Sequence, residues 1–221
     1  MKRYLTLAVA AALVAAGAGY WMSRSAEGPM TLPPIAGAVG AAEAAEGSGE
    51  VIEMVLGDPG ATVEVIEYAS FTCGHCANFN QTVFPELRKN YIDTGKIRFV
   101  HRDVYFDRYG LWASMVARCD PMRYFGLSDI VFGELGEWAQ GEPAQIADNL
   151  RRIGRRAGLS DDQLNACMQD AEMAQTLVAW WEDNASKDGI TATPSFIVNG
   201  EKYSNMSYAD FARILDEKLA E

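Results

Sequence analysis

The chain has 221 residues, enough for one domain with an insertion or for two small domains, and it is 49% hydrophobic and 22% charged, an ordinary globular composition. Its formal net charge of −11 argues against a nucleic-acid partner, which would demand a basic face. No internal repeat occurs at any period.

At the N-terminus Lys2 and Arg3 precede nineteen uncharged residues, Tyr4 to Met22, which read as an export signal. Ala16, Gly17 and Ala18 supply small residues for cleavage. Yet the run nearly matches the roughly 20 residues of a spanning helix, and Trp21 suits a membrane interface. A cleaved signal peptide and a retained membrane anchor over residues 1–26 both stay open, and a buried core helix fits poorly. Under either reading the positive charges stay inside, so the body of the chain is expected outside the cytoplasmic membrane. Residues 27–49 are rich in Ala, Gly and Pro without an apolar period and read as a flexible linker. Without residues 1–26 the chain carries −14, a charge that serves solubility.

The folded part opens with a short strand, Val51 to Leu56, closed by the turn Gly57-Asp58-Pro59-Gly60. A second strand spans Thr62 to Ser70, rich in Val, Ile and Tyr. Phe79, Val83, Phe84, Leu87 and Tyr91 then recur at helical spacing, with Pro85 expected to kink the helix and Gly95 to stop it. A third strand covers Lys96 to Val104, and the crossover length suits a parallel pair. From Leu111 to about Asp188 the pattern is helical. Leu111, Met115, Val116 and Cys119 share a face until Pro121, a further helix covers Ala144 to Arg156, and the capping box Ser160 to Gln163 opens one long helix reaching Trp181. Strand character returns at Ser195 to Val198, Asn199-Gly200 signals a hairpin, and a last helix from Ser207 buries Phe211, Ile214, Leu215 and Leu219. The expectation is an α/β core, residues 50–109 and 189–221, interrupted by an all-helical insertion over residues 110–188.

Between the second strand and the first helix lies Ser70-Phe-Thr-Cys-Gly-His-Cys-Ala-Asn-Phe79. A thiol at a helix N-terminus sits beside unsatisfied N–H groups whose partial positive charge favours the thiolate, and His75 adds a donor or a charge. Cys76, one turn in, can resolve a mixed disulfide formed at Cys73. Two other uses of the pair are weaker. A structural zinc site needs four ligands, usually a second paired set, whereas Cys119 and Cys167 are singles 48 residues apart and His101 stands alone on a strand. An inert staple closing a four-residue loop would constrain little chain. Four cysteines in an exported chain also agree with two disulfide pairs.

The segment TVEVIEYASFTCGHCANF followed by Thr193-Pro-Ser-Phe-Ile-Val-Asn-Gly200 resembles the DsbA-like periplasmic thiol-disulfide oxidoreductases, over roughly residues 51 to 221, and more narrowly the alphaproteobacterial members with a second cysteine pair. The resemblance implies a thioredoxin fold with a helical insertion and no cofactor. It implies that Cys73 is the exposed nucleophile and Cys76 the resolving thiol, with Gly74 and His75 tuning the redox potential. It also implies that Pro194 is a cis-proline packed on the pair, that Thr193 offers backbone contacts to a substrate peptide, and that Glu67 exchanges a proton with the resolving thiol. An ordinary solvated strand residue is the other reading of Glu67. Gly74, where many relatives carry proline, leaves the oxidising strength open, as does Thr193.

Cys119 and Cys167 both fall on apolar faces of expected helices. A structural disulfide between them would contribute about 4 kcal/mol by chain entropy; two packed free thiols and a redox relay are the alternatives. The expected function is donation of the Cys73–Cys76 disulfide to reduced, newly exported proteins, with reoxidation by a DsbB-like membrane quinone reductase. An isomerase or reductase, for instance one serving cytochrome c maturation, and a redox-inactive chaperone-like module are the rivals.

Overall fold

The computed structural model describes residues 51–221; the segments read above as signal or anchor and as linker lie outside them. Five strands form one mixed sheet: β1 (Met54–Gly57), β2 (Val63–Ala69), β3 (Ile97–Asp103), β4 (Ser195–Val198) and β5 (Glu201–Ser204), in the order β1-β3-β2-β4-β5. The central pair β2–β3 is parallel and the other pairs are antiparallel. β1 starts three residues later than expected, at Met54, and ends at Gly57, where φ is +91° and an added Cβ would stand 2.2 Å from the Ile97 carbonyl oxygen. Only glycine fits there.

The two faces of the sheet are covered by different helices. Val63, Val65, Ile97, Phe99, Phe196 and Val198 point to one side. There they pack against α1 (Gly74–Thr82), α2 (Phe84–Leu87) and the last helix α9 (Tyr208–Leu219), through Phe79, Leu87, Phe211 and Leu215. Tyr68 and Ile197 point to the other side, toward Trp181 of α8 (Ala171–Lys187). This is the alternation a strand pair imposes when both faces are buried. Pro85 falls in the first turn of α2, where its missing N–H costs nothing, so the helix re-forms after Val83 and continues into a π-helical turn over Arg88–Ile92. Asn199 (φ 45°) and Gly200 (φ 86°) make the tight β4–β5 turn, and the Asn199 side chain accepts the Glu64 N–H at 2.8 Å.

Between β3 and β4 run α3 (Arg108–Arg118), α4 (Tyr124–Gly133), α5 (Leu135–Trp138), α6 (Pro143–Arg156), α7 (Asp161–Gln169) and α8. Ser160 and Gln163 form the expected capping box, with the Gln163 N–H donating to Ser160 Oγ and the Ser160 N–H to Gln163 Oε1. The single long helix expected from it does not form. Asp170 leaves helical geometry (ψ 88°) and its carboxylate accepts the Met173 N–H at 2.8 Å, so it ends α7 and caps α8. The capping preference of aspartate outweighs the continuity of the apolar stripe. Buried Val116, Tyr124, Leu127, Trp138, Leu150 and Leu164 join Ala69, Phe71 and Cys76 in one cluster, so the helical segment closes over the C-terminal end of β2.

Candidate active site

β2 ends at Ala69 and the loop Ser70-Phe71-Thr72 delivers Cys73 to the N-cap of α1. The loop is tied at both ends. The Cys73 N–H donates to the Ser70 carbonyl at 3.0 Å, and Thr72 Oγ1 donates to Asp107 Oδ2 at 2.9 Å. Asp107 is in turn the N-cap of α3, accepting the N–H groups of Tyr109 and Gly110. Phe71 is buried with its ring 4.7 Å from that of Phe132. The cysteine pair is therefore held between the sheet and the helical segment.

Cys73 is partly buried and Cys76 fully so, and both are free thiols. The Cys76 N–H donates to Cys73 Sγ at 3.4 Å, as an N-cap acceptor receives an N3 donor. From the opposite side, the Thr193–Pro194 peptide bond is cis, and Cys73 Sγ donates to the Thr193 carbonyl oxygen at 3.6 Å. Thr193 Oγ1 is buried with no partner of its own, which leaves its hydroxyl available to a sulfur anion.

The two thiols titrate in opposite directions. For Cys73, burial works to raise the value, but hydrogen bonds from Thr193, from the Cys76 thiol and from the backbone N–H groups of Cys76 and His75 outweigh it, so the thiol lies below its ordinary range. For Cys76, burial dominates and the Glu67 charge adds to it, so the thiol is held well above the ordinary range. One sulfur is disposed to be an anion and its neighbour to keep its proton.

Gly74 and His75 are exposed on the first turn of α1, and an added Cβ at Gly74 would meet nothing within 4 Å. Glu67 is 4% exposed on β2. It is not a solvated strand residue: its Oε2 lies 3.0 Å from Nδ1 of His101, its partner in the β2–β3 register. From sequence His101 reads as a lone strand histidine. The structure makes it a member of a buried polar group instead, with Nε2 3.5 Å from Oδ1 of Asp103. Asp103 accepts hydrogen bonds from Ser114 Oγ (2.9 Å), Arg118 Nε (2.8 Å) and Tyr124 OH (2.8 Å), three donors supplied by the helical segment.

Cys119 caps the C-terminus of α3 and is bonded to Cys167 of α7, with the two Cα atoms 5.7 Å apart. Arg118, one residue before, is the cation on Asp103.

Residues 50–217 match the family model described as Thioredoxin. A Rickettsia typhi protein provisionally named a protein-disulfide oxidoreductase is 35% identical over 169 residues, covering 76% of this chain and 62% of its own. The chain thus spans under two thirds of that relative's length. The Disulfide bond formation protein D of Bacillus subtilis is 27% identical over 167 residues, covering 72% of each chain. The crystal structure of Wolbachia pipientis alpha-DsbA1 superimposes with a TM-score of 0.70 at 32% identity, covering 76% of this chain and 91% of that one. An α/β sheet carrying a cysteine pair at a helix N-cap against a cis-proline, interrupted by helices, and these similarities agree: the chain belongs to the thioredoxin family and is DsbA-like.

Proposed function

We propose that this protein is a thiol-disulfide oxidoreductase acting outside the cytoplasmic membrane, donating a Cys73–Cys76 disulfide to reduced, newly exported proteins. The observation that carries the reading is the asymmetry of the pair: an accessible sulfur disposed to ionise, and beside it a buried one disposed to stay protonated.

The chemistry follows from that asymmetry. A substrate thiolate attacks the Cys73 sulfur of the oxidised pair, the S–S bond breaks, and its electron pair goes to the Cys76 sulfur, which takes up a proton. A second substrate thiolate then attacks the substrate sulfur of the mixed disulfide, and Cys73 departs as a thiolate. Two electrons pass from substrate to enzyme. A sulfur of low proton affinity is the better leaving group, and burial of Cys76 directs attack to Cys73. The Thr193 carbonyl lies 3.6 Å from the attacked sulfur, and Thr193 and Pro194 would contact the substrate backbone. Glu67 would exchange the proton with Cys76, and Gly74 and His75 would tune the potential. Phe106, 57% exposed, precedes Asp107, which holds the cysteine loop and accepts the Tyr109 N–H; with Tyr109 and Trp112, whose rings pack 5.5 Å apart, it would offer apolar surface to an unfolded chain. The Cys119–Cys167 bridge serves as a structural staple. A DsbB-like membrane quinone reductase would accept the two electrons.

The test combines a potential with a trap. The reduction potential measured against glutathione is expected near the strong-oxidant end, about −120 mV, and a value near about −270 mV would assign a reductase instead. Cys76→Ala should accumulate mixed disulfides with exported proteins in cells, and Cys73→Ala none. Rescue of a deletion strain by Cys73→Ala would leave only a redox-inactive binding role.

A further inference from the structure

His101 is 3% exposed, and each of its ring nitrogens faces a carboxylate: Nδ1 lies 3.0 Å from Glu67 and Nε2 3.5 Å from Asp103. A neutral imidazole carries one N–H and one lone pair. With both carboxylates ionised, the lone pair of either tautomer would face a carboxylate. The ring sits among Phe71, Phe132 and Tyr124, with centroids 6.1, 6.2 and 5.7 Å away, and its Nε2 has no hydrogen-bond partner among the described residues. Arg118 from α3 and Tyr124 from α4 approach on the Asp103 side, with Tyr105 donating to Ser114 behind them. Cys76 of α1 feels the Glu67 charge on the other. Signs then alternate along the line: carboxylate, ring, carboxylate, guanidinium. With both carboxylates ionised, the charges balance only if the ring is a cation, and an unpaired buried charge is costly.

We infer that His101 is a positioning residue of the thiol site, an imidazolium clamped between Glu67 and Asp103 that holds the Glu67 carboxylate in its charged, oriented form toward Cys76. The inference rests on the proposed roles of Cys73, Cys76 and Glu67, and it extends the site into the helical insertion, whose Arg118, Ser114 and Tyr124 fix the far end of the clamp. Burial works to lower the histidine's proton affinity, but the contacts to Asp103 and Glu67 and their charges outweigh it, raising the value to about 9. Removing the cation leaves Glu67 a buried carboxylate without its ring partner, beside the Cys76 thiol.

The chain has two histidines, so ¹⁵N-histidine labelling of the reduced wild-type protein, with His75→Gln for assignment, reads the ring directly. Both His101 nitrogens are expected to carry protons at pH 7; a neutral tautomer there overturns the inference. The second reading is the reduction potential of His101→Gln followed against pH. The His101→Gln plot is expected to differ in slope from that of wild type, and the difference to be removed by His101→Lys or by a further Glu67→Gln change. A His101→Gln plot parallel to that of wild type overturns the inference, and if that variant does not fold, the histidine spectrum alone decides. Exchange activity surviving in Cys73→Ser would sink the proposed function without touching the histidine spectrum, so the two failures are separable.

Discussion

Cys73 Sγ and the Thr193 carbonyl oxygen lie 3.6 Å apart, joining two segments 120 residues apart in the chain. The Thr193 hydroxyl makes no hydrogen bond of its own, and Thr193 is the largest influence holding the Cys73 thiol down against burial. Thr193→Val keeps the shape and deletes that donor. The Cys73 thiol should then titrate at higher pH, because a hydrogen bond to the charged form is lost. The pH profile of iodoacetamide alkylation checks this. An unmoved profile would assign the low value to the helix N-terminus and Cys76 alone.

The charge on His101 makes the fold sensitive to alkali. Its value in the folded protein, about 9, exceeds the ordinary 6.5, so its contribution is fully present below about pH 6.5 and is lost as pH rises through 9. In the oxidised protein, where the cysteine pair does not titrate, unfolding free energy should fall across that window by at most about 1.4 kcal/mol per pH unit for one proton. His101→Gln should flatten the slope. Reduced protein should lose additional stability above pH 9, where the buried Cys76 would have to hold its proton. Urea titrations of both redox forms from pH 6 to 10 separate the two effects.

Much of this was readable from the chain, and what was not has physical reasons. The cysteine spacing after a Val- and Ile-rich run gives the strand, the N-cap thiol and the helix together. Glu67 came only from the family resemblance, although it shares its face with Val63 and Val65 and so points into the core. His101 and Asp103 likewise follow Ile97 and Phe99 in period two. With Arg98 and Arg102 alternating between them, the strand reads as half-solvated, and the in-phase positions are the signal that reveals the buried pair. The donors that make those charges tolerable come from α3 and α4, across contacts no local pattern encodes. The break at Asp170 was lost for the opposite reason, since a strong apolar period concealed a local cap.

Arg118 is the residue that joins these layers. Its Nε donates to Asp103, its Nη1 donates to the Ile52 carbonyl at 2.9 Å, and its guanidinium lies 5.3 Å from the centre of the Tyr124 ring. With Arg118 beside it, Asp103 stays well below the usual carboxylate range despite complete burial. Arg118→Leu leaves the two buried carboxylates with the His101 ring alone to balance them and should cost about 3–5 kcal/mol. Adding Asp103→Asn should recover part of the loss, because the deficit comes from an unpaired ion and not from the missing side chain alone. Additive losses in the double-mutant cycle would reject that account.

The bridge between Cys119 and Cys167 acts on the same end of α3. It links positions 48 residues apart, and a crosslink of that span limits the unfolded chain by about 4 kcal/mol. Cys119→Ala with Cys167→Ala should lower unfolding free energy by about that amount, measured in urea with the Cys73–Cys76 pair oxidised in both proteins. A denatured, non-reduced Cys73→Ala/Cys76→Ala protein should titrate no free thiols. The helical segment keeps its own core in Leu127, Trp138, Leu150 and Leu164, so the folded state should survive the loss and Cys73 alkylation should keep its pH profile. A stability loss under about 1 kcal/mol would reject the staple, the loop-closure gain then being offset by residual structure in the unfolded chain or by cost in the native state.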